Sequence, residues 1–407
     1  MFTRFFDNLK QRGLIFQHTD GLDKLPSSSL ISYYGIDATS SSLHIGHMLG
    51  LIISKRLLDF GGKIIILVGG GTSQIGDPSG KDKERPILSK KEIGGNKKKI
   101  ENQVKKIMGS VSNNVIFVDN ADWLQEVTLI DFLRDVGKEM PLSSMIEKES
   151  VKARLTREQG ISFAEFSYQL LQAYDFLVLD NKYNCNLQFG GSDQWGNIVQ
   201  GTDLIRRKTG KRAYGLCFPL IVDPQTGKKF GKTENGNSIW LDPNITHPFE
   251  FFQFFINTSD ELARTLMIFY SLKPMDEINS IIQNWEQDKS QRTLQKSLAF
   301  EMTELVHSFR KAQIAERLSI VLFEKKPTDL TSQDFEFLKK AVPYATVNSE
   351  KDFSLEKSLI DTQLAKSKAE ARRLISQEGV FSSFHLQKYF LIRKGKKEYG
   401  IVEITGK

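Results

Sequence analysis

Short apolar runs alternate along the first half of the chain with longer segments in which apolar residues return every three or four positions. Runs at 30–36, 63–69, 114–118, 186–189 and 218–222 are rich in branched and aromatic residues and are predicted as strands. After the first of them, Ile45, Met48, Leu49, Ile52 and Leu57 recur at helical spacing until Gly61-Gly62 stops the run, with capping hydroxyls on offer at Ser40–Ser42. Strands alternating with helices predict an α/β domain built on a doubly wound parallel sheet, with its site beyond the carboxyl ends of the strands. From His247 the pattern turns helical: Phe251, Phe254 and Phe255 start one helix, and Leu298, Met302, Leu305, Val306 and Phe309 stripe another. The expected organisation is a catalytic domain over 1–228, a mobile lysine loop over 229–246 and a helical domain over 247–325. A linker over 326–350 and a small basic module over 351–407 follow.

Composition narrows the function classes. At 407 residues and 40% hydrophobic content the chain supports several cores. It has no apolar run of membrane-spanning length, and the charged segment Met1–Gly13 does not read as a signal peptide. Two cysteines, Cys185 and Cys217, are too few for a disulfide framework, and a cytoplasmic protein is expected. Of the net charge of +7, five units lie in residues 351–407, which hold 12 Lys plus Arg against 7 Asp plus Glu. A polyanionic partner for that tail follows from the charge, although basic tails also serve solubility. The lysine run Lys97–Lys99 reads first as a solvated face.

The candidate chemistry sits on the predicted loops. His44-Ile45-Gly46-His47 lies where a strand has ended and a helix begins, near the positive end of the helix dipole, with Gly46 leaving room for a ring or sugar. Alone, such a pair is most often two solvated or core-edge histidines; a zinc site is disfavoured because no Cys, Asp or Glu stands at ligand spacing, and no protein-bound metal is expected. Lys229-Phe230-Gly231-Lys232-Thr233 follows the last predicted strand and places two ammonium groups on one loop, as a departing polyphosphate needs. The glycine-rich turns Gly69–Gly71 and Gly76–Lys81 leave the second strand in the same way.

His44–His47 and Lys229–Thr233 together resemble the HIGH and KMSKS signatures of class I aminoacyl-tRNA synthetases. Phe189–Asn197 and the preceding helix, where Tyr168, Gln172 and Asp175 share a face, resemble the bacterial tyrosyl-tRNA synthetases, and matches to that family run to the C-terminus. The resemblance implies a Rossmann-type catalytic domain, a helical tRNA-binding domain and a small α+β RNA-binding module. The implied reaction activates L-tyrosine with ATP to tyrosyl-adenylate and pyrophosphate, then transfers tyrosine to the terminal ribose of tRNA(Tyr). It also implies a homodimer and Mg²⁺ travelling with ATP.

Carried over by the resemblance, Thr39, His44, Lys81, Arg85, Lys229, Lys232 and Thr233 attend the leaving phosphates and His47 the ribose. Gly35, Asp37, Gly46, Gly191 and Asp193 match the adenosine positions. Asp77, Tyr168 and Gln172 match the residues that hold the α-ammonium. Tyr33 and Asp175 match the pair that bonds the phenol, while Gln188 and Gln194 complete the pocket. Such a site rejects phenylalanine by about 10⁴ to 10⁵, a range that tyrosyl-tRNA synthetases themselves supply. No protein nucleophile is required, because the tyrosine carboxylate is already ionised and catalysis rests on positioning and charge. Two rivals stand beside this reading: an RNA-binding relative without chemistry, against which both histidines and both lysines speak, and a tryptophan enzyme, against which the Tyr33 and Asp175 pair speaks.

In the tail, Leu364–Ile375 and Gly379-Val380 resemble the RNA-binding module that these enzymes share with a ribosomal protein, with Lys368, Arg372 and Arg373 placed to follow a phosphate backbone. Two departures from the family pattern are visible. Phe381-Ser382-Ser383-Phe384 replaces the usual Val-Asn-Gly turn, which puts the hairpin geometry in question. Tyr34 stands where a small cysteine commonly touches the ribose, so either its ring turns away or ATP sits differently, and a weaker ribose contact is expected from this position.

Overall fold

The structure, a computed structural model, describes residues 4–79, 88–109, 114–155, 160–224, 227, 230–231, 237–323, 330–395 and 398–406. The chain divides into two compact units, residues 1–241 with 264–278, and residues 242–263 with 279–407. No helix among the described residues is long and apolar enough to cross a membrane.

The first unit is built on six strands: β1 (Gln17–His18), β2 (Ile31–Asp37), β3 (Lys63–Gly69), β4 (Val115–Asp119), β5 (Leu187–Gly191) and β6 (Tyr214–Phe218). They lie in the order β1-β6-β5-β2-β3-β4, and all neighbours are parallel except β1 on β6. β3 is buried from Ile64 to Gly69, the continuous apolar run of a strand covered on both faces. Because β2 is followed by β3 and β4 on one side and by β5 and β6 on the other, the strand order reverses between β2 and β5. A crevice at the carboxyl ends opens at such a switch point.

Two expectations are corrected here. The last strand of the sheet ends at Phe218 instead of beginning there; Pro219 has no N–H for the ladder, and pairing runs back from Phe218 to Tyr214 on β5. Residues 264–278, expected within a helical domain, belong to the first compact unit. The carbonyls closing the helix Asp260–Tyr270 accept from two buried arginines, Arg12 to Ile268 (2.8 Å) and Lys273 (2.6 Å), and Arg56 to Ser271. A guanidinium satisfies such orphan carbonyls and complements the helix dipole, and this partnership leaves no local trace in the sequence.

The second unit joins the helices Pro248–Ile256, Met275–Gln287 in part, Thr293–Val306, Phe309–Phe323, Ser332–Leu338, Leu355–Asp361 and Lys368–Ser376 to a four-stranded sheet. Its strands are β7 (Tyr344–Val347), β8 (Val380–His385), β9 (Tyr389–Lys394) and β10 (Glu398–Ile404), in the order β7-β10-β9-β8. The stretch 326–350 was expected as a linker, but β7 within it pairs in parallel with β10, and Phe335 stacks on Tyr389 with ring centroids 4.4 Å apart. The questioned hairpin does form: β8 pairs with β9 along its length, and Leu386 (φ 54°) and Gln387 (φ 50°) take the left-handed turn positions without glycine.

Candidate active site

The histidine pair caps its own helix. The helix Ile45–Asp59 has His44 as N-cap: His44 Nδ1 accepts from the Gly46 N–H at 3.1 Å, and His47 Nδ1 accepts from the His44 N–H at 3.3 Å. The serines expected to cap do not; Ser42 instead bonds Leu43 O (2.8 Å) and the Gln103 side chain (3.3 Å). With each Nδ1 accepting, the neutral rings carry their protons on Nε2, so each imidazole offers a donor. The ring centroids lie 4.0 Å apart. A Cβ at Gly46 would stand 2.9 Å from His44 Cε1, so glycine is what permits this ring position.

The lysine segment meets this helix at its described residues. Phe230 N donates to Ile221 O (2.8 Å), Ile239 N to Gly231 O (3.0 Å), and Ile45 N to Ile239 O (2.9 Å). Gly231 has φ +112°, where a Cβ would be strained and would meet Ile45 Cγ2 at 2.7 Å. Lys81, Arg85, Lys229, Lys232 and Thr233 lie outside the described residues.

On the other side of the crevice, the helix Phe163–Tyr183 presents Tyr168, Gln172 and Asp175 together. The Tyr168 hydroxyl donates to Asp37 Oδ2 (3.0 Å) at the end of β2, and Thr72 Oγ1 donates to Asp37 Oδ1 (2.8 Å). Gln172 Nε2 donates to Gln194 Oε1 (3.3 Å), and Gln194 Nε2 donates to Asp77 Oδ2 (2.7 Å). A Cβ at Gly190 would lie 3.1 Å from Gln194 Cβ, and one at Gly191 2.9 Å from Asp193 Oδ1 and 3.0 Å from Leu220 Cδ2, so both positions fit closely against their neighbours.

At the base of the crevice, Asp175 is 2% exposed and accepts from Trp123 Nε1 (2.8 Å) and Asn120 Nδ2 (3.0 Å). Burial pushes its carboxyl up to about 7 against the pull of those two donors, with the Asp37 and Asp119 carboxylates adding to the rise. Beside it Tyr33 is 1% exposed, with its hydroxyl raised well above the usual range by burial and by Asp175. Neither the Tyr33 hydroxyl nor Gln188 Oε1 has a partner among the described residues. Buried polar atoms left unmatched in this way mark a place for a polar ligand group.

Tyr34 resolves one departure: its ring stacks on Phe189 (5.5 Å, 10°) and lies over Gly50, with its hydroxyl 3.5 Å from His47 O. It is turned into the packed interior. The site also holds residues that the sequence reading did not pick out: Thr72, Asn120 and Trp123 around the carboxylates, and Lys148 and Asn197 behind Gln172. The Gly69–Gly71 turn was a signal for the first of these, since Gly71 N bonds Asn120 Oδ1 at 2.8 Å.

Comparison with known proteins places this arrangement. The family profile described as "tRNA synthetases class I (W and Y)" matches residues 26–324. Among curated proteins, tyrosine–tRNA ligase of Roseiflexus castenholzii is 39% identical over 99% of this chain and 100% of its own. Tyrosine–tRNA ligase of Desulfitobacterium hafniense is 40% identical over 98% and 99%. Among solved structures, a C-terminally truncated mitochondrial tyrosyl-tRNA synthetase of Aspergillus nidulans aligns with a TM-score of 0.70 at 30% identity, covering 79% of this chain and 94% of that one. The chain belongs to the tyrosine–tRNA ligase family of class I aminoacyl-tRNA synthetases.

Proposed function

We propose that the chain binds L-tyrosine with its phenol between Tyr33 and Asp175, its α-ammonium at Asp77, Tyr168 and Gln172, and Gln188 and Gln194 completing the pocket. ATP, with Mg²⁺ travelling on its phosphates, occupies the crevice along Gly35, Asp37, Gly46, His47, Gly191 and Asp193. Thr39 and His44 serve the phosphates from the helix N-terminus, together with Lys81, Arg85, Lys229, Lys232 and Thr233. The tyrosine carboxylate attacks the α-phosphorus, pyrophosphate leaves, and a tRNA ribose hydroxyl then takes the tyrosyl group. The reacting groups belong to the substrates, so the protein contributes position and charge: two Nε2 donors and a helix N-terminus at the phosphates, and lysines that draw in as charge accumulates on the leaving group.

The observation that carries this reading is the Tyr33 hydroxyl, buried and without a partner among the described residues beside a buried carboxylate. A substrate phenol donates to Asp175 and accepts from Tyr33, satisfying both. The test is tyrosine-dependent exchange of labelled pyrophosphate into ATP; no exchange removes the activity, and exchange with tryptophan alone removes the specificity.

The same atom gives a prediction with opposite signs. Tyr33→Phe deletes an unsatisfied buried hydroxyl, so the ligand-free protein is expected to gain about 1 kcal/mol of stability. Its kcat/KM for tyrosine is expected to fall about tenfold, as the phenol loses a donor. Melting curves without ligand and exchange kinetics check the two halves, and a destabilised free protein contradicts the first.

The basic helix Lys368–Ser376 exposes Lys368, Arg372 and Arg373, which supports a contact with the tRNA backbone. Replacing all three by Gln is expected to lower tRNA charging and flatten its salt dependence, with pyrophosphate exchange unchanged. A homodimer is supported by apolar side chains left exposed on the first unit, Leu129 and Ile130 at 71% and Phe163 at 79%. Sedimentation at the mass of one chain would remove it. The cytoplasm, where tRNA and ATP are found, is the proposed location.

A further inference from the structure

Lys148 lies behind the proposed ammonium site, in a small cavity lined also by Ser79, Glu165, Tyr168 and Asn197. Its Nζ donates to Asn197 Oδ1 at 3.1 Å. Asn197 Nδ2 donates to Gln172 Oε1 at 3.0 Å, and also approaches Gln194 Oε1 (3.4 Å) and Ser79 Oγ (3.5 Å). The line continues from Gln172 Nε2 to Gln194 Oε1 (3.3 Å) and from Gln194 Nε2 to Asp77 Oδ2 (2.7 Å). Three amides in series thus join a half-buried cation to a carboxylate, and every link donates in the same direction.

That direction has a physical origin at the ends. An amide presents an oxygen or an NH₂ group in nearly the same shape, so a chain of amides alone could point either way. An ammonium only donates and an ionised carboxylate only accepts, so Lys148 forces Asn197 to turn its oxygen inward, and each following amide inherits the choice. Reversing one amide sets two donors or two acceptors face to face. The consequence falls on Gln172, whose oxygen accepts from Asn197 with one lone pair and keeps the other. Tyr168, donating to Asp37, likewise keeps its oxygen lone pairs.

We infer that Lys148 is a positioning residue for the amino-acid substrate: through Asn197 it fixes the amide of Gln172 so that an acceptor, not an NH₂ group, meets the α-ammonium. This rests on the assignment of the ammonium site above. The surroundings suit the role. Burial lowers the Lys148 ammonium to about 7 against the pull of Asp77, so the ammonium that sets the relay prevails below that pH; Glu165, the acid lining the cavity, is already engaged by both terminal nitrogens of Arg154 (2.9 and 2.7 Å). Glu165 therefore does not draw Lys148 away. A Cβ at Gly196 would sit 3.1 Å from Lys148 Cδ, so glycine there leaves the channel its side chain runs through.

The test compares two ligands that differ only in the ammonium: L-tyrosine and 3-(4-hydroxyphenyl)propionate. Equilibrium binding of both is measured for the full chain, for Lys148→Met and for Asn197→Ser, which cuts the relay one link further on. With the relay broken, the Kd for L-tyrosine is expected to rise about tenfold or more, while that for the des-amino analogue stays within about twofold. Equal losses for both ligands would make Lys148 a structural residue, and unchanged or tighter L-tyrosine binding would mean that repulsion between the two ammonium groups outweighs orientation; either result overturns the inference. Should one variant fail to fold, the other decides by the same ratio. Failure of the unaltered chain to prefer L-tyrosine over L-tryptophan would instead remove the site assignment itself.

Discussion

Asp175→Asn is expected to lower kcat/KM for tyrosine activation by about 10³-fold, near 4 kcal/mol, and to shrink the preference for tyrosine over phenylalanine. Both carboxylate oxygens are already committed, one to Trp123 Nε1 and one to Asn120 Nδ2. An asparagine has one acceptor, so whichever way it turns its NH₂ group faces another donor in a site 2% exposed. Above about pH 7, where Asp175 is ionised, the phenol loses an anionic acceptor at the same time. Phenylalanine makes no such bond and is penalised less, so the ratio of exchange rates for the two amino acids is the diagnostic measurement. An unchanged ratio would show that the phenol is read elsewhere.

The same substitution has a signature in pH. Burial holds the Asp175 carboxyl protonated up to about 7 in the folded chain, whereas an unfolded chain releases that proton near pH 4. Between those values the folded state binds more protons, so this group's contribution to stability falls as pH rises. Asparagine removes that slope, and unfolding of the ligand-free variant is expected to vary less between pH 4 and 7 than that of the unaltered chain.

The second large effect is expected where Tyr34 meets the histidine helix. A Cβ at Gly50 would lie 2.3 Å from Tyr34 Cζ and 2.6 Å from its hydroxyl oxygen. The ring cannot retreat, being 7% exposed and stacked on Phe189. Gly50→Ala gains about 1 kcal/mol of helix preference but overpacks the interior, for a net loss of about 2 kcal/mol. Tyr34→Cys alone opens a cavity and costs about 3 kcal/mol or more. Combined, each substitution relieves the other, and a coupling of about 1 to 2 kcal/mol is expected from a double-mutant cycle read by denaturation. The KM for ATP should follow the same pattern, since the ring supports the His47 carbonyl; additive losses would refute the pairing.

How much of this was legible in the sequence depends on the range of the interaction. β3 was readable because an aliphatic run between glycines is a local signal, β2 because branched and aromatic residues cluster in a short run, and Tyr168, Gln172 and Asp175 share a face by helical spacing alone. The fifth parallel strand was read too late because its aliphatic continuation past Pro219 outweighed the weaker strand signal of Tyr214–Phe218. Serines before a helix suggest caps, yet His44 reaches the backbone first, a choice made by a side-chain rotamer that composition does not specify. Trp123 and Lys148 could not be assigned, since their partners are 52 and 49 residues away and only the doubly wound topology brings them together.

The order of strands in the second sheet has a consequence for how the protein is made. β10 follows β7, β8 and β9 in the chain, yet it lies between β7 and β9, bonded to both. As the polypeptide leaves the ribosome, β8 and β9 can close their hairpin at once, but β7 must wait with an unpaired edge until residue 404 has emerged. Such a wait exposes a strand edge to other chains. Charged and polar residues flank β7, Lys339 and Lys340 before it and Asn348 and Ser349 after it, and flanks of this kind disfavour such pairing.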